Sequence, residues 1–224
     1  PPIIPTQPNM FNVDENSIAT TSVGTVLATD FETPSTLMFA ITAGDPSGLF
    51  ALNGTTGARF ITVAKPGLDH EGVSSFNLTV QVTDPGSLSA SATVTVNIDD
   101  VNEAPILDPI GSQTATVDAE LAFTASATDP DSPSAPLTFS LGGGAPAGAS
   151  ITASGDFTFT PTSALDGMFI PVTIVVTEGN GEALTASETV VIFVTSVALD
   201  FGDAPASFAT LLVDDGPRHV IGSL

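Results

Sequence analysis

The chain of 224 residues has no cysteine, no tryptophan and no tyrosine, and only three lysines and arginines in total. Without cysteine there are no disulfides, no thiolate metal sites and no sulfur nucleophile. Three cations cannot neutralise a phosphate track, so nucleic acid is excluded as a partner, as is electrostatic docking to anionic lipid. No apolar run approaches the roughly 18 residues that a membrane-spanning helix needs, so no membrane insertion is expected. The opening Pro1-Pro2-Ile3-Ile4-Pro5 has neither the charged nor the apolar region of a signal peptide. The chain is therefore expected to be cut from a longer one.

Acid is abundant instead. Twenty-five Asp and Glu give a formal net charge of -22, beside 14 Phe, 20 Gly and 18 Pro. Hydrophobic residues make up 42% of the chain, enough to build cores despite the self-repulsion of so much like charge. The acids cluster: Asp14-Glu15, Asp30-Phe31-Glu32, Asp69-His70-Glu71, Asp99-Asp100-Val101-Asn102-Glu103, Asp129-Pro130-Asp131 and Asp214-Asp215. Two carboxylates about 5 Å apart repel by roughly 3 kcal/mol at an effective dielectric near 20. Such clusters need strong solvation, as in exposed turns, or a hard cation; Ca²⁺ takes six to eight oxygen ligands and suits them.

Period-two alternation recurs along the chain. Phe76, Leu78, Val80 and Val82 share one face of an extended segment, residues 92–98 alternate in the same way, and Thr fills many outward positions. Turn sequences such as Asp84-Pro85-Gly86 and Glu178-Gly179-Asn180-Gly181 separate these runs, and no stretch combines a 3.6-residue period with caps. The fold class is all-β. Ala28-Thr29-Asp30 returns as Ala127-Thr128-Asp129, Leu68-Asp69 as Leu165-Asp166 and Val82-Thr83-Asp84 as Val176-Thr177-Glu178, a period near 97 residues. That period predicts two tandem seven-stranded Greek-key β-sandwiches, residues 8–103 and 104–197, after an extended segment 1–7. Residues 198–224 are too few for a core of their own and are expected to form a tail or begin a third module. Strands are expected near 10–14, 23–29, 37–43, 49–52, 58–64, 75–83 and 90–99, then near 113–118, 120–128, 137–141, 149–152, 155–160, 168–177 and 184–196. Pro171 fits the sixth strand of the second unit only at an edge or a bulge.

The ordered motifs of the first unit resemble the cadherin repeat. They are Val13-Asp14-Glu15-Asn16, Ala28-Thr29-Asp30 with Glu32, Gly48-Leu49-Phe50 with Thr56-Gly57, Leu68-Asp69-His70-Glu71, Val82-Thr83-Asp84, and the linker Asp100-Val101-Asn102-Glu103-Ala104-Pro105. The linker has a form associated with large bacterial surface proteins. The second unit resembles dystroglycan-type or immunoglobulin-like relatives of that repeat through Ala127-Thr128-Asp129-Pro130-Asp131, Ala145-Pro146-Ala147-Gly148-Ala149 and Phe157-Thr158-Phe159-Thr160-Pro161.

The resemblance implies Ca²⁺ between consecutive domains. Carried over, the ligands are Glu15, Asp69 and Glu71 from the base of the first unit, Asp100, Asn102 and Glu103 from the linker, and Asp129, Asp131 and Glu178 from the top of the second. Asp30, Glu32 and Asp84 form a half-site at the top of the first unit. At the base of the second unit the pattern fails. Ala119 stands where the early Glu is expected, between Asp118 and Glu120, and Asp166-Gly167 lacks a second acid. Thr195-Ser196-Val197 replaces the acidic linker. No full Ca²⁺ cluster is expected there, and the junction is expected to be flexible or held by Val197, Leu199 and Phe201.

The resemblance further implies an extracellular, secreted or cell-surface, non-enzymatic module whose partners are neighbouring domains of its own chain. The expected function is Ca²⁺-dependent adhesion or spacing. Two other readings stay open. One is a subunit of a surface filament, self-associating through sheet edges. The other is a carbohydrate-binding module, against which the lack of Trp and Tyr counts. His70 is read as exposed, His219 has no recognisable catalytic partner, and the sequons at Asn53 and Asn77 matter only in a glycosylating host.

Overall fold

The computed structural model describes residues 1–5, 9–32, 36–54, 58–131, 133–179 and 182–197, together with the backbone of 199–200 and 219–220. Thr55, Thr56, Gly57, Asn180, Gly181, Phe201 and the acidic pair Asp214-Asp215 lie outside the described residues. The chain divides into two compact units, Pro1–Asn102 and Glu103–Leu224.

The first unit contains β1 (Met10–Asp14), β2 (Ser22–Leu27), β3 (Met38–Ala43), β4 (Phe50–Asn53), β5 (Ala58–Val63), β6 (Ser75–Thr83) and β7 (Ser89–Asp99). One sheet has the order β1-β7-β6-β3 and the other β2-β5-β4. The pleat turns the alternating pattern into two faces. Leu78 and Val80 of β6 and Val94, Val96 and Ile98 of β7 face inward and are buried, meeting Val26, Phe50, Ile61 and Val63 of the other sheet, while Val82 is buried with Ala28 and Leu37. Burying each such side chain fully stabilises the sandwich by about 1.5–3 kcal/mol. Phe50 and Phe76 pack edge to face, with centroids 5.2 Å apart.

The second unit repeats this plan. Its strands are β8 (Ile106–Leu107), β9 (Gln113–Thr116), β10 (Leu121–Thr124), β11 (Ala127–Thr128), β12 (Leu137–Leu141), β13 (Ala149–Ile151), β14 (Asp156–Phe159), β15 (Phe169–Glu178) and β16 (Thr185–Thr195). The sheet order β9-β16-β15-β12 mirrors β1-β7-β6-β3, and β10-β14-β13 mirrors β2-β5-β4. In each unit the first long strand runs parallel to the last: Asp14 sits beside Asp99 and Thr116 beside Thr195. A short pair, β17 (Leu199–Asp200) with β18 (His219–Val220), follows.

The strand expected at 120–128 is divided. β10 pairs with β14, while β11 leaves that sheet to pair with β8. The break falls where the Ala125 N–H donates to the Gly155 carbonyl at 2.8 Å. Gly155 holds φ +98°, and a Cβ there would lie 2.4 Å from the Ala125 carbonyl oxygen, so the close approach requires glycine. The first unit has a smaller version of the same device, Ile3 bridging to Thr29.

Pro171 pairs with Val191 of β16 on one side. β12 ends opposite Ile174, so no strand lies on the side where the missing N–H would point.

Candidate metal-binding sites

Parallel pairing of β1 with β7 delivers Glu15 to the end of the first unit. The Glu15 N–H donates to the Asp99 carbonyl at 3.0 Å, and the Asn16 N–H donates to the Leu68 carbonyl at 3.1 Å, with Asn16 at φ 55°. The side chain turns inward. The residue is 3% exposed, its Oε2 accepts the His70 N–H at 2.8 Å and its Oε1 accepts the Val101 N–H at 2.9 Å. Asp69 accepts the Gly72 N–H at 3.1 Å within its own turn.

Glu71 presents Oε1 to His70 Nδ1 at 3.2 Å, while its buried Oε2 has no hydrogen-bond partner. Glu15, Asp69 and Glu71 each offer an oxygen, all within 4.8 Å of one another. His70, Glu71 and Asp100 form an overlapping set on the same criterion. His70 is half-buried, not exposed as its place in a variable motif position implied. The hydrogen bond to Glu71 raises its imidazole pKa above the ordinary value of 6.5. Burial opposes the rise, and the Glu71, Asp100 and Glu15 charges add to it.

The second unit assembles its own set at the opposite end of the sandwich plan. Asp129, Asp131 and Glu178 bring oxygens within 4.8 Å of one another. Asp129 Oδ1 accepts the Asp131 N–H at 3.0 Å and Oδ2 the Ala135 N–H at 3.2 Å. The Asp131 carboxylate accepts the Glu103 N–H at 3.1 Å. Glu178, 2% exposed at the end of β15, accepts the Leu184 N–H at 2.9 Å. Glu103 thus meets this set through its backbone, and its carboxylate is in none of the three sets found among the described residues. Asn102 is half-buried in the extended segment after β7.

The top of the first unit is a variation on the same construction. Asp30 Oδ1 accepts the Glu32 N–H at 2.9 Å and Asp84 Oδ1 accepts the Leu88 N–H at 2.9 Å, matching Asp129 and Glu178. Asp30 and Asp84 are buried, but Glu32 is exposed, and the three do not form a set within 4.8 Å among the described residues.

At the base of the second unit the equivalence is corrected. The Val117 N–H donates to the Thr195 carbonyl, as Glu15 does to Asp99, and the Asp118 N–H donates to the Pro161 carbonyl, with φ 60° matching Asn16. Val117, not Ala119, replaces Glu15, and it packs on the core. Three residues separate Leu165 from β15, against six between Leu68 and β6, so the loop position of Glu71 is deleted. Asp166 remains, its Oδ1 accepting the Ser196 N–H at 2.8 Å.

Residues 9–99 match the family model of the cadherin domain, and residues 104–195 match that of a "Putative Ig domain". The chain is 40% identical over 136 residues to the protocadherin-like wing polarity protein stan of Drosophila melanogaster, covering 58% of this chain and 4% of that protein. It is 33% identical over 176 residues to cadherin-related family member 3 of Mus musculus, covering 72% and 20%. Among solved structures, mouse cadherin-23 EC22-24 aligns with TM-score 0.57 and 27% identity over 88% of this chain and 65% of that one. The human desmocollin-1 ectodomain aligns with TM-score 0.62 over 89% and 42% and, at 22% identity, supports the fold alone. Over residues 9–99 this chain therefore carries a cadherin domain, of the extracellular or cell-surface kind, followed at residues 104–195 by a segment that matches an Ig-like domain.

Proposed function

We propose that the chain is a Ca²⁺-dependent adhesion and stalk segment of a large extracellular protein, without enzymatic activity, in which Ca²⁺ stiffens the junction between its two units. The observation that carries this reading is the base of the first unit. A buried carboxylate, Glu15, and a carboxylate with a buried unpartnered oxygen, Glu71, share a space of 4.8 Å with Asp69 in a chain carrying three basic residues. Anions so placed repel one another, and no Lys or Arg side chain among the described residues is paired with them; His70, on Glu71 Oε1, is the one titratable base beside them. The donors are carboxylate oxygens, which suits a hard divalent ion.

Glu15, Asp69, Glu71 and Asp100 are the residues that would hold the ion on the first unit, and Asp129, Asp131 and Glu178 on the second. Bound Ca²⁺ supplies the positive charge that lets these groups share a space. The backbone N–H donors on Glu15, Asp69, Asp129 and Glu178 hold each carboxylate in place before any ion arrives, so little ordering is left to binding. Each sandwich has its own core, so the ion acts on the junction more than on either fold. The linker Asp100-Val101-Asn102-Glu103-Ala104-Pro105 supports assigning the parent to the large bacterial surface proteins, and Ala127-Thr128-Asp129-Pro130-Asp131 with Phe157-Thr158-Phe159-Thr160-Pro161 supports assigning the second unit to their dystroglycan-type domains. The test is calorimetric titration of Ca²⁺ into the chelator-treated chain. Uptake at about 10⁻⁴–10⁻³ M, typical of extracellular modules, is expected, and it should weaken in Glu71→Gln. Absence of uptake would overturn the proposal.

A further inference from the structure

The two units share one sheet plan but differ at one place on its outer face. In the first unit Ser75 stands opposite Asn97 and Asn77 opposite Thr95. In the second, the same rungs of the equivalent strands place Phe169 opposite Phe193 and Pro171 opposite Val191. The polar version is satisfied internally: Thr95 Oγ1 donates to Asn77 Oδ1 at 2.9 Å, and the Asn97 amide to Asn12 Oδ1 at 3.3 Å. The apolar version is left in water. Phe169 is 70% and Val191 37% exposed, and the two phenyl rings lie 4.8 Å apart against each other. The first unit shows that this sheet forms without apolar groups at these positions, so folding does not explain them. A contiguous apolar patch on a sheet face marks a contact surface.

Charge selects the occupant. Every outward position of β9, β12, β15 and β16 is Thr, Ser, Val, Pro or Phe, so the face carries no ionisable group in a chain of net charge -22. Two copies can approach on this face without opposing carboxylates, whereas a basic partner would find no counter-charge on it. Area sets the strength. With strands about 4.8 Å apart and about 3.3 Å per residue, the face covers roughly 500 Å² per copy. Two such faces bury about 1,000 Å², at the lower limit of specific interfaces.

We propose that this face of the Ig-like unit is a weak, isologous self-association surface, two copies packing sheet on sheet with Phe169 and Phe193 at the contact. It lies on an uncharged sheet face, not on the acidic ends, and so is independent of the Ca²⁺ reading.

Sedimentation equilibrium of the whole chain up to about millimolar concentration tests it, in chelator and in Ca²⁺. A concentration-dependent dimer is expected in both. Phe169→Ser with Phe193→Asn installs the first unit's own residues, and circular dichroism with thermal unfolding verifies the fold. The double substitution should weaken the dimer about thirtyfold, the loss expected from removing a central aromatic anchor. A chain that stays monomeric overturns the proposal. So does a dimer that ignores the two substitutions, or one that forms only with Ca²⁺.

Discussion

Glu15 Oε1 accepts the backbone N–H of Val101 at 2.9 Å, tying the residue just after β1 to the first residues of the linker after β7. With its other oxygen on the His70 N–H, one buried carboxylate fixes three chain segments at the base of the cadherin domain. Glu15→Ala should therefore destabilise the first unit even in chelator, because two N–H donors lose a charged acceptor. The expected loss is about 3 kcal/mol in urea unfolding. An unchanged midpoint and slope would show that the carboxylate is held only by metal.

Asp100 is different. It is exposed, and its place is in the His70–Glu71–Asp100 set. Asp100→Ala should weaken Ca²⁺ uptake in calorimetry while the thermal unfolding of both units in chelator stays within about 0.5 kcal/mol of the parent. Collapse of either fold in this variant would make Asp100 a structural residue.

Asp156 supplies a pH prediction. Thr124 Oγ1 donates to its Oδ1 at 2.9 Å and Ser154 Oγ to its Oδ2 at 3.1 Å, holding its pKa below the ordinary 3.8. A depressed folded pKa gives stability that is present above the unfolded value and is lost as pH falls through the folded one. Asp156→Ala should thus lower the melting temperature of the second unit at pH 7. The gap to the parent should narrow as pH drops below 3.8. A gap that widens in acid would contradict the assignment.

The β-sandwich class was legible because alternation at residues 76–82 and 92–98 reports directly which side chains face the core. Motif order groups Glu15, Asp69 and Glu71 in the sequence, and the structure brings their oxygens within 4.8 Å of one another. The split of 120–128 was not legible. It depends on Gly155, thirty residues from the carbonyl it accommodates, and no local pattern encodes that approach. β8 is two residues long and carries no period to read. Ala119 resembles the Glu15 equivalent in sequence because Asp118 and Glu120 imitate its acidic surroundings. Only the parallel ladder to β16 reveals Val117 in that place. The half-buried ring of His70 was hidden because its contact is with the neighbouring Glu71, which sequence alone cannot orient. The Phe169–Phe193 pair is separated by 24 positions, so its rung became visible only with the β15–β16 register.

In the function proposed above, Ca²⁺ held by Glu71, Asp100, Asp131 and their neighbours stiffens the junction between the cadherin and Ig-like domains. Small-angle X-ray scattering of the whole chain in millimolar Ca²⁺ and in chelator is the decisive experiment. A longer maximum dimension and a narrower, rod-like distance distribution are expected with Ca²⁺. Superimposable curves in the two conditions would contradict the proposal.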